Sequence, residues 1–141
     1  MKKLNNIPSE IAVQIGLKAA TDVTGFSLLG HAHEMAVSSH VQIIFNSASI
    51  PFLSNAREYG KKGFFAGGAA DNRLFYKKYI DFSTRIDEVT EMLLFDPQTS
   101  GGLLLGCPPD KLSQFQKLAS DQDLNNWVIG EVKKGSGIIV N

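Results

Sequence analysis

Helical and strand periodicities follow one another along this chain without strict alternation, which argues against a regular βαβ series and for a mixed architecture. Asn6 and Pro8 precede Glu10 and the apolar set Ile11, Ile15 and Ala19, the pattern of a capped amphipathic helix ending near Ala20. Thr21 to Gly25 interrupts it. Leu28, Leu29, Ala32, Met35 and Ala36 then recur at helical spacing, predicting a second helix from Phe26 to about Ser38 with His31, His33 and Glu34 toward its polar side. Val41, Ile43 and Phe45 alternate as a half-buried strand does. Pro51 opens a short helix through Phe52, Leu53 and Ala56, with Gly60 as its left-handed stop. Gly63 to Asn72 reads as a small-residue loop, followed by helical pieces at Leu74 to Tyr79 and Ile86 to Leu94. Leu103 to Cys107 is an apolar strand expected to be covered on both sides, and Pro109 and Asp110 start a helix with Leu112, Phe115, Leu118 and Ala119 inward. Trp127 to Val132 and Ile138 to Val140 read as two arms of a hairpin around Lys133 to Gly137. The expected fold is α+β, with helices packed on a mixed or antiparallel sheet of about four strands.

A chain of 141 residues, 43% hydrophobic, suits one soluble domain over residues 1–141 and leaves no room for a second. Lys plus Arg and Asp plus Glu both count 14, so no long-range field draws it to nucleic acid or to a membrane surface. The lysine pairs, Lys2 and Lys3, Lys61 and Lys62, Lys77 and Lys78, Lys133 and Lys134, fall near element ends as solvated charges. Cys107 has no partner for a disulfide, no Cys/His cluster has zinc spacing, and no apolar run approaches a membrane span or a secretory leader. A cytoplasmic location is the expectation.

Three small-residue segments are candidates for chemistry: TDVTGFSLLGH at Thr21 to His31, GFFAGGAADN at Gly63 to Asn72, and DPQTSGG at Asp96 to Gly102. None matches a P-loop or a dinucleotide fingerprint. In the first, Asp22 stands just before a helix start that carries Thr24 and Gly25. Exposed first-turn amides can hold phosphate oxygens, and a magnesium ion between them and the carboxylate would turn repulsion into attraction. Asp22 or Thr24 capping the helix is the alternative. In the third segment Ser100, Gly101 and Gly102 could present backbone N–H groups to an anion, or could simply shape a helix-to-strand connection. The Gly67-Gly68 loop is a weaker candidate than the other two, and Asn72 and Arg73 there are as compatible with capping the next helix as with touching a ligand. His31 and His33, two apart, do not form a helical metal pair, and Cys107 within an apolar strand should stay protonated.

ATDVTGFSLLGHAHEMA at Ala20 to Ala36 and FDPQTSGGLLL at Phe95 to Leu105 closely resemble the two signature stretches of the carboxy-terminal half of selenide, water dikinases. AGGAADN and the terminal VIGEV before a basic turn resemble the same family, so the likeness covers nearly the whole chain. It implies a fold like the carboxy-terminal domain of aminoimidazole ribonucleotide synthetase, and an enzyme that turns selenide, ATP and water into selenophosphate, AMP and phosphate. ATP and Mg²⁺ would lie mainly against the protein's own amino-terminal domain, with Asp22 reaching across as a metal ligand and Thr24, Gly25, Ser100 and Gly101 facing the nucleotide. The full-length protein is expected to be a homodimer. The family's reactive Cys or selenocysteine followed by a Lys, its glycine-rich segment and its other metal-binding aspartates have no counterpart in this sequence. Met1 falls at the expected junction between halves, so a fragment inactive by itself is expected. Ser27 stands where the family usually has Gly, and Ala69 where Thr is common. Another ATP-dependent synthetase or kinase of the same superfamily, or a non-catalytic interaction module, are the alternatives.

Overall fold

A computed structural model describes residues 4–141, so the Lys2 and Lys3 pair lies outside the described residues. Six α-helices and six strands follow in the order α1 (Asn6–Gln14), β1 (Ala19–Asp22), α2 (Ser27–Ser39), β2 (Val41–Phe45), α3 (Ala56–Lys61), α4 (Gly67–Tyr76), β3 (Ile80–Phe82), α5 (Glu88–Leu94), β4 (Leu103–Gly106), α6 (Pro109–Asp121), β5 (Gly130–Lys134) and β6 (Ile138–Val140). The α+β class with a mixed four-stranded sheet is as expected. Its order is β3-β6-β2-β5, with β2 and β3 parallel to β6 and β5 antiparallel to β2.

The expected hairpin of the last two strands does not form. β5 and β6 flank β2 instead, and residues 135–137 cross the start of β2 between them. Gly135 at φ +145° and Gly137 at φ +82° make that crossing possible, in a region of backbone space that side chains resist. The crossing is fastened to the strand beneath it: Gln42 Nε2 donates to the Ser136 carbonyl at 3.1 Å, and the Ile43 N–H to that of Gly137 at 3.2 Å. A central strand inserted between two arms leaves the local turn signal unchanged, so periodicity and turn residues describe both arrangements equally well. β5 also begins at Gly130 rather than at Trp127.

A separate two-stranded antiparallel sheet joins β1 to β4, pairing Ala19 with Gly106 and Asp22 with Leu103. β1 replaces the expected tail of the first helix, which stops at Gln14. Its backbone partners lie far along the chain, and such pairing overrides local propensity. Ile80–Phe82 is likewise a strand that the sequence did not announce, paired to β6 just past a 3₁₀ turn at Lys77–Tyr79.

Helix α2 fills one face of the larger sheet. Leu29, Ala32 and Ala36 are essentially sealed from solvent against Ile43, Phe45, Ile138 and Val140. A second, smaller core sits where α1 meets α6, built from Ile11, Ile15, Phe115 and Ala119. The α2 histidines are not on a solvated face: His31 is buried, and His33 stacks on Tyr79 with ring centroids 4.3 Å apart. Burial lowers the His33 pKa, with neighbouring Glu34 acting in the opposite direction. His40 is exposed, as expected, and closes α2 in the left-handed conformation.

The middle of the chain departs most from expectation. Helix α3 starts at Ala56, not at Pro51, and Gly60 is inside it. A Cβ on Gly60 would come within 2.6 Å of Val89 Cγ1, so this glycine permits the close approach of α3 to α5 rather than ending the helix. The loop expected at Gly63 to Asn72 is largely helix, because α4 begins at Gly67. Glycine has poor intrinsic helix propensity, and here the tertiary contacts of the first turn prevail over it.

α4 and α5 are tied by a nearly buried carboxylate. Glu91 accepts from Arg73 Nε at 2.5 Å and from Lys77 Nζ at 2.7 Å. Burial pushes the Glu91 pKa up, but the two cationic donors outweigh it and leave the net shift downward. A carboxylate depressed in the folded state stabilises fully above its unfolded pKa, about 4.3, and that contribution is lost as pH falls through the folded value. Glu91→Gln is therefore expected to cost about 1–3 kcal/mol at pH 7. In urea unfolding the gap to wild type should narrow as pH drops below the unfolded carboxylate value.

Candidate functional site

The three small-residue segments meet in space. β1 ends at Asp22, and the chain beyond it keeps pairing with the connection that leads into β4. The Val23 N–H donates to the Gly102 carbonyl at 2.9 Å, the Gly101 N–H to that of Val23 at 2.9 Å, and the Gln98 N–H to that of Thr24 at 3.0 Å. This ladder needs a bare backbone at one point. A Cβ on Gly101 would lie 2.7 Å from the Val23 carbonyl oxygen and 2.8 Å from Val23 Cγ1.

The start of α4 closes the junction from a third side. A Cβ on Gly68 would touch Pro97 Cγ at 3.3 Å, so the helix end rests on the Asp96–Pro97 turn. Asp96 anchors it: the carboxylate accepts from the Ala66 backbone N–H and from Gln98 Nε2, the latter at 2.7 Å. Burial raises the Asp96 pKa, and these two donors restrain the rise without cancelling it. From within α4, Asn72 is buried and its amide nitrogen donates to the Gly25 carbonyl at 2.9 Å and to the Phe95 carbonyl at 3.1 Å.

Of the residues expected to carry chemistry, Asp22 is exposed at the end of β1, and its carboxylate has no hydrogen bond or ion pair among the described residues. Thr24 Oγ1 lies 3.0 Å from Nε2 of the buried His31, which fixes the hydroxyl beside the same turn. Gly25 is exposed with open space where a side chain would be, and Ser100 is exposed on the facing loop. Gly101 is also exposed, but its N–H is already committed to Val23, so its place in the site is to let the loops approach.

Ser27 holds φ +67° while fully buried, a conformation glycine adopts freely and other residues adopt at a cost of about 1 kcal/mol or more. That is a physical reason for glycine at this place. The serine hydroxyl compensates in part by accepting from the Gly30 N–H at 3.4 Å, as a helix cap does.

A metal ion would not find a complete ligand set here. Among the described residues no group of three or more His, Cys, Asp or Glu could hold one. Asp22 offers a free, hard oxygen donor of the type Mg²⁺ takes singly or in pairs, alongside phosphate oxygens. Cys107 lies just past β4, and burial pushes its thiol up, with Asp110 adding to the shift and Lys111 opposing it. It is therefore not a ready thiolate. No helix among the described residues is long and apolar enough to cross a membrane.

The structural part of Asn72 escaped the sequence. Its partners lie 47 and 23 residues away, and a lone Asn in a glycine-rich stretch gives no local sign of them. The Asp96 bond to Ala66 is of the same kind.

Residues 1–141 match the family described as AIR synthase related protein, C-terminal domain. The chain is 42% identical over 135 residues to the selenide, water dikinase of Caldanaerobacter subterraneus subsp. tengcongensis, covering 95% of this chain and 39% of that one. To the selenide, water dikinase of Carboxydothermus hydrogenoformans it is 35% identical over 140 residues, covering 99% of this chain and 40% of that one. It thus spans about two fifths of the length of these curated relatives. Among solved structures, the thiamine-monophosphate kinase of Stenotrophomonas maltophilia K279a superposes with a TM-score of 0.61 at 20% identity, over 89% of this chain and 31% of that one. At that identity the likeness speaks for the fold.

Gly101→Ala is expected to force the two loops apart and to lower stability by about 1–3 kcal/mol. Urea denaturation measures the loss. Amide hydrogen exchange at Val23 and Gln98 should rise with it.

Proposed function

The chain belongs to the AIR synthase related protein family, C-terminal domain, and on that premise we propose that it is the carboxy-terminal part of a selenide, water dikinase. The whole enzyme would make selenophosphate, AMP and phosphate from selenide, ATP and water. Support comes from the identity of 35–42% to selenide, water dikinases along 95–99% of this chain. A structure related in fold, described as AaThiL complexed with AMPPCP and TMP, holds an ATP analogue and is consistent with a nucleotide substrate.

The observation that carries the proposal is the free Asp22 carboxylate standing beside the joined loops. A bound Mg²⁺ would supply charge neutralisation and a template for the phosphates of ATP. Asp22 contributes one carboxylate to that ion. The remaining protein ligands would come from the amino-terminal domain, because the described residues hold no further cluster. Thr24, with its hydroxyl fixed by His31, lines the same side with Gly25, while Ser100 faces it from the second loop and Gly101 keeps the two together. Phosphoryl transfer asks mainly for such positioning and for charge held near the moving phosphate. One carboxylate and two loops make half of a site, so the chain by itself is proposed to be inactive and to work joined to its own amino-terminal domain, in a homodimeric protein of the cytoplasm.

In the full-length parent, Asp22→Ala is expected to lower selenide-dependent AMP formation by about a hundredfold or more, equivalent to about 2.7 kcal/mol of barrier. The 141-residue chain assayed alone should form none. Undiminished turnover in the Asp22→Ala parent would sink the metal assignment.

A further inference from the structure

The side chain of Asn72 has two N–H donors and uses both on backbone carbonyls of other segments, Gly25 at 2.9 Å and Phe95 at 3.1 Å. Asn72 is 8% exposed and Phe95 is sealed from solvent, so the Phe95 carbonyl would be left buried without this donor, while the exposed Gly25 would lose the contact that fixes its orientation. Of its two partners, one follows Asp22 in the first loop and the other opens the second. Few side chains can replace it. Asp would set a carboxylate against two carbonyl oxygens, and Ala would leave both acceptors without a donor.

Peptide geometry extends the consequence. In a planar trans peptide the C=O and the following N–H point in opposite directions. Drawing the Gly25 oxygen inward onto Asn72 therefore turns the Phe26 N–H the other way, at the start of α2. Gly25 borders open space, with nothing within 4 Å of where its Cβ would be.

We propose that Asn72 is a positioning residue for the nucleotide site: it fixes the Gly25–Phe26 peptide so that the Asp22 turn stands in register with the Phe95–Gly102 loop and the Phe26 amide faces the phosphate oxygens of a magnesium nucleotide. This rests on the reading of the chain as part of a selenide, water dikinase, and Asn72 itself touches neither metal nor nucleotide. Its effect passes through the loop that carries Asp22. It should therefore act on how tightly Mg²⁺ and ATP are held together, beyond any effect on folding.

The test uses the full-length parent and calorimetric ATP binding across a Mg²⁺ titration. Asn72→Asp is expected to raise the half-saturating Mg²⁺ concentration about tenfold or more. Combined with Asp22→Asn, it should add little to what Asp22→Asn does alone, since both act on one ligand. Additive effects, or an unmoved Mg²⁺ midpoint, overturn the proposal. Asn72→Ser keeps one donor and guards against a misfolded variant. It should shift the midpoint by an intermediate factor, and a lowered melting temperature with no shift at all would make the residue merely structural. Hydrogen exchange on the same proteins is independent of turnover. Asn72→Ser should speed exchange at Val23, Gln98 and Gly101 by about tenfold while leaving the α1 and α6 amides unchanged, and unaltered rates at the three overturn the clamp. A wild-type parent that forms no AMP from selenide and ATP sinks the functional reading instead, and the exchange rates still decide the clamp.

Discussion

The backbone hydrogen bonds between Val23–Thr24 and Gln98–Gly102 are the contacts on which the rest of the site depends. They prolong the β1–β4 pairing past the end of the strands, so two loops that would otherwise move independently become one rigid edge. Each buried N–H and C=O in such a segment must find a partner, and these loops satisfy one another. The cost is a strict steric demand, met by Gly101, where an added Cβ would lie 2.7 Å from the Val23 carbonyl oxygen. Asn72 then ties the edge to α4, and Asp96 ties the start of α4 back to the same edge.

Two sheets share the work of holding that edge. The four-stranded sheet and α2 form the larger core, and α2 starts directly after the Asp22–Gly25 turn, so sealing Leu29, Ala32 and Ala36 also fixes where the turn stands. The small β1–β4 sheet leads into both loops, Asp22 ending β1 and Gly102 preceding β4, and its strand β4 packs against the core formed by α1 and α6. Rigid elements hold polar groups in place better than loops do, and here both loops are anchored within a few residues of a strand or helix.

The electrostatic pattern follows from the packing. Glu91 lies between two cationic donors, and its charge is used to fasten α4 to α5. Asp96 is satisfied by a backbone N–H and an amide, and its raised pKa reflects burial beside the joined loops. Asp22 differs from both: it is exposed, and among the described residues its carboxylate has no hydrogen bond or ion pair. A carboxylate left exposed next to an ordered backbone edge costs little to keep and can meet a cation with little rearrangement.

The α+β class, the second helix, β2 and α6 were legible from periodicity, because each buries a face whose spacing can be counted in the chain. β4 was legible as a continuous apolar run, though only Leu104 is buried, and α5 was placed but buries Thr90, Glu91 and Leu94 rather than a counted apolar face. Asp22, Ser100 and the glycines stood out as small and polar residues in runs that break the helical and strand patterns, and the two long motifs carried the family resemblance. The sequence by itself therefore determined the kind of fold, the lineage and which segments were candidates for a site. It did not determine that β2 lies between β5 and β6, that residues 19–22 form a strand, that Gly67 and Gly68 open a helix, or that Asn72 bridges Gly25 and Phe95. Those features depend on hydrogen bonds and contacts between residues far apart in the chain, and a local pattern holds no record of which distant carbonyl a donor will meet. Only the tertiary structure decided them, because the free energy that selects them comes from groups brought together by folding itself.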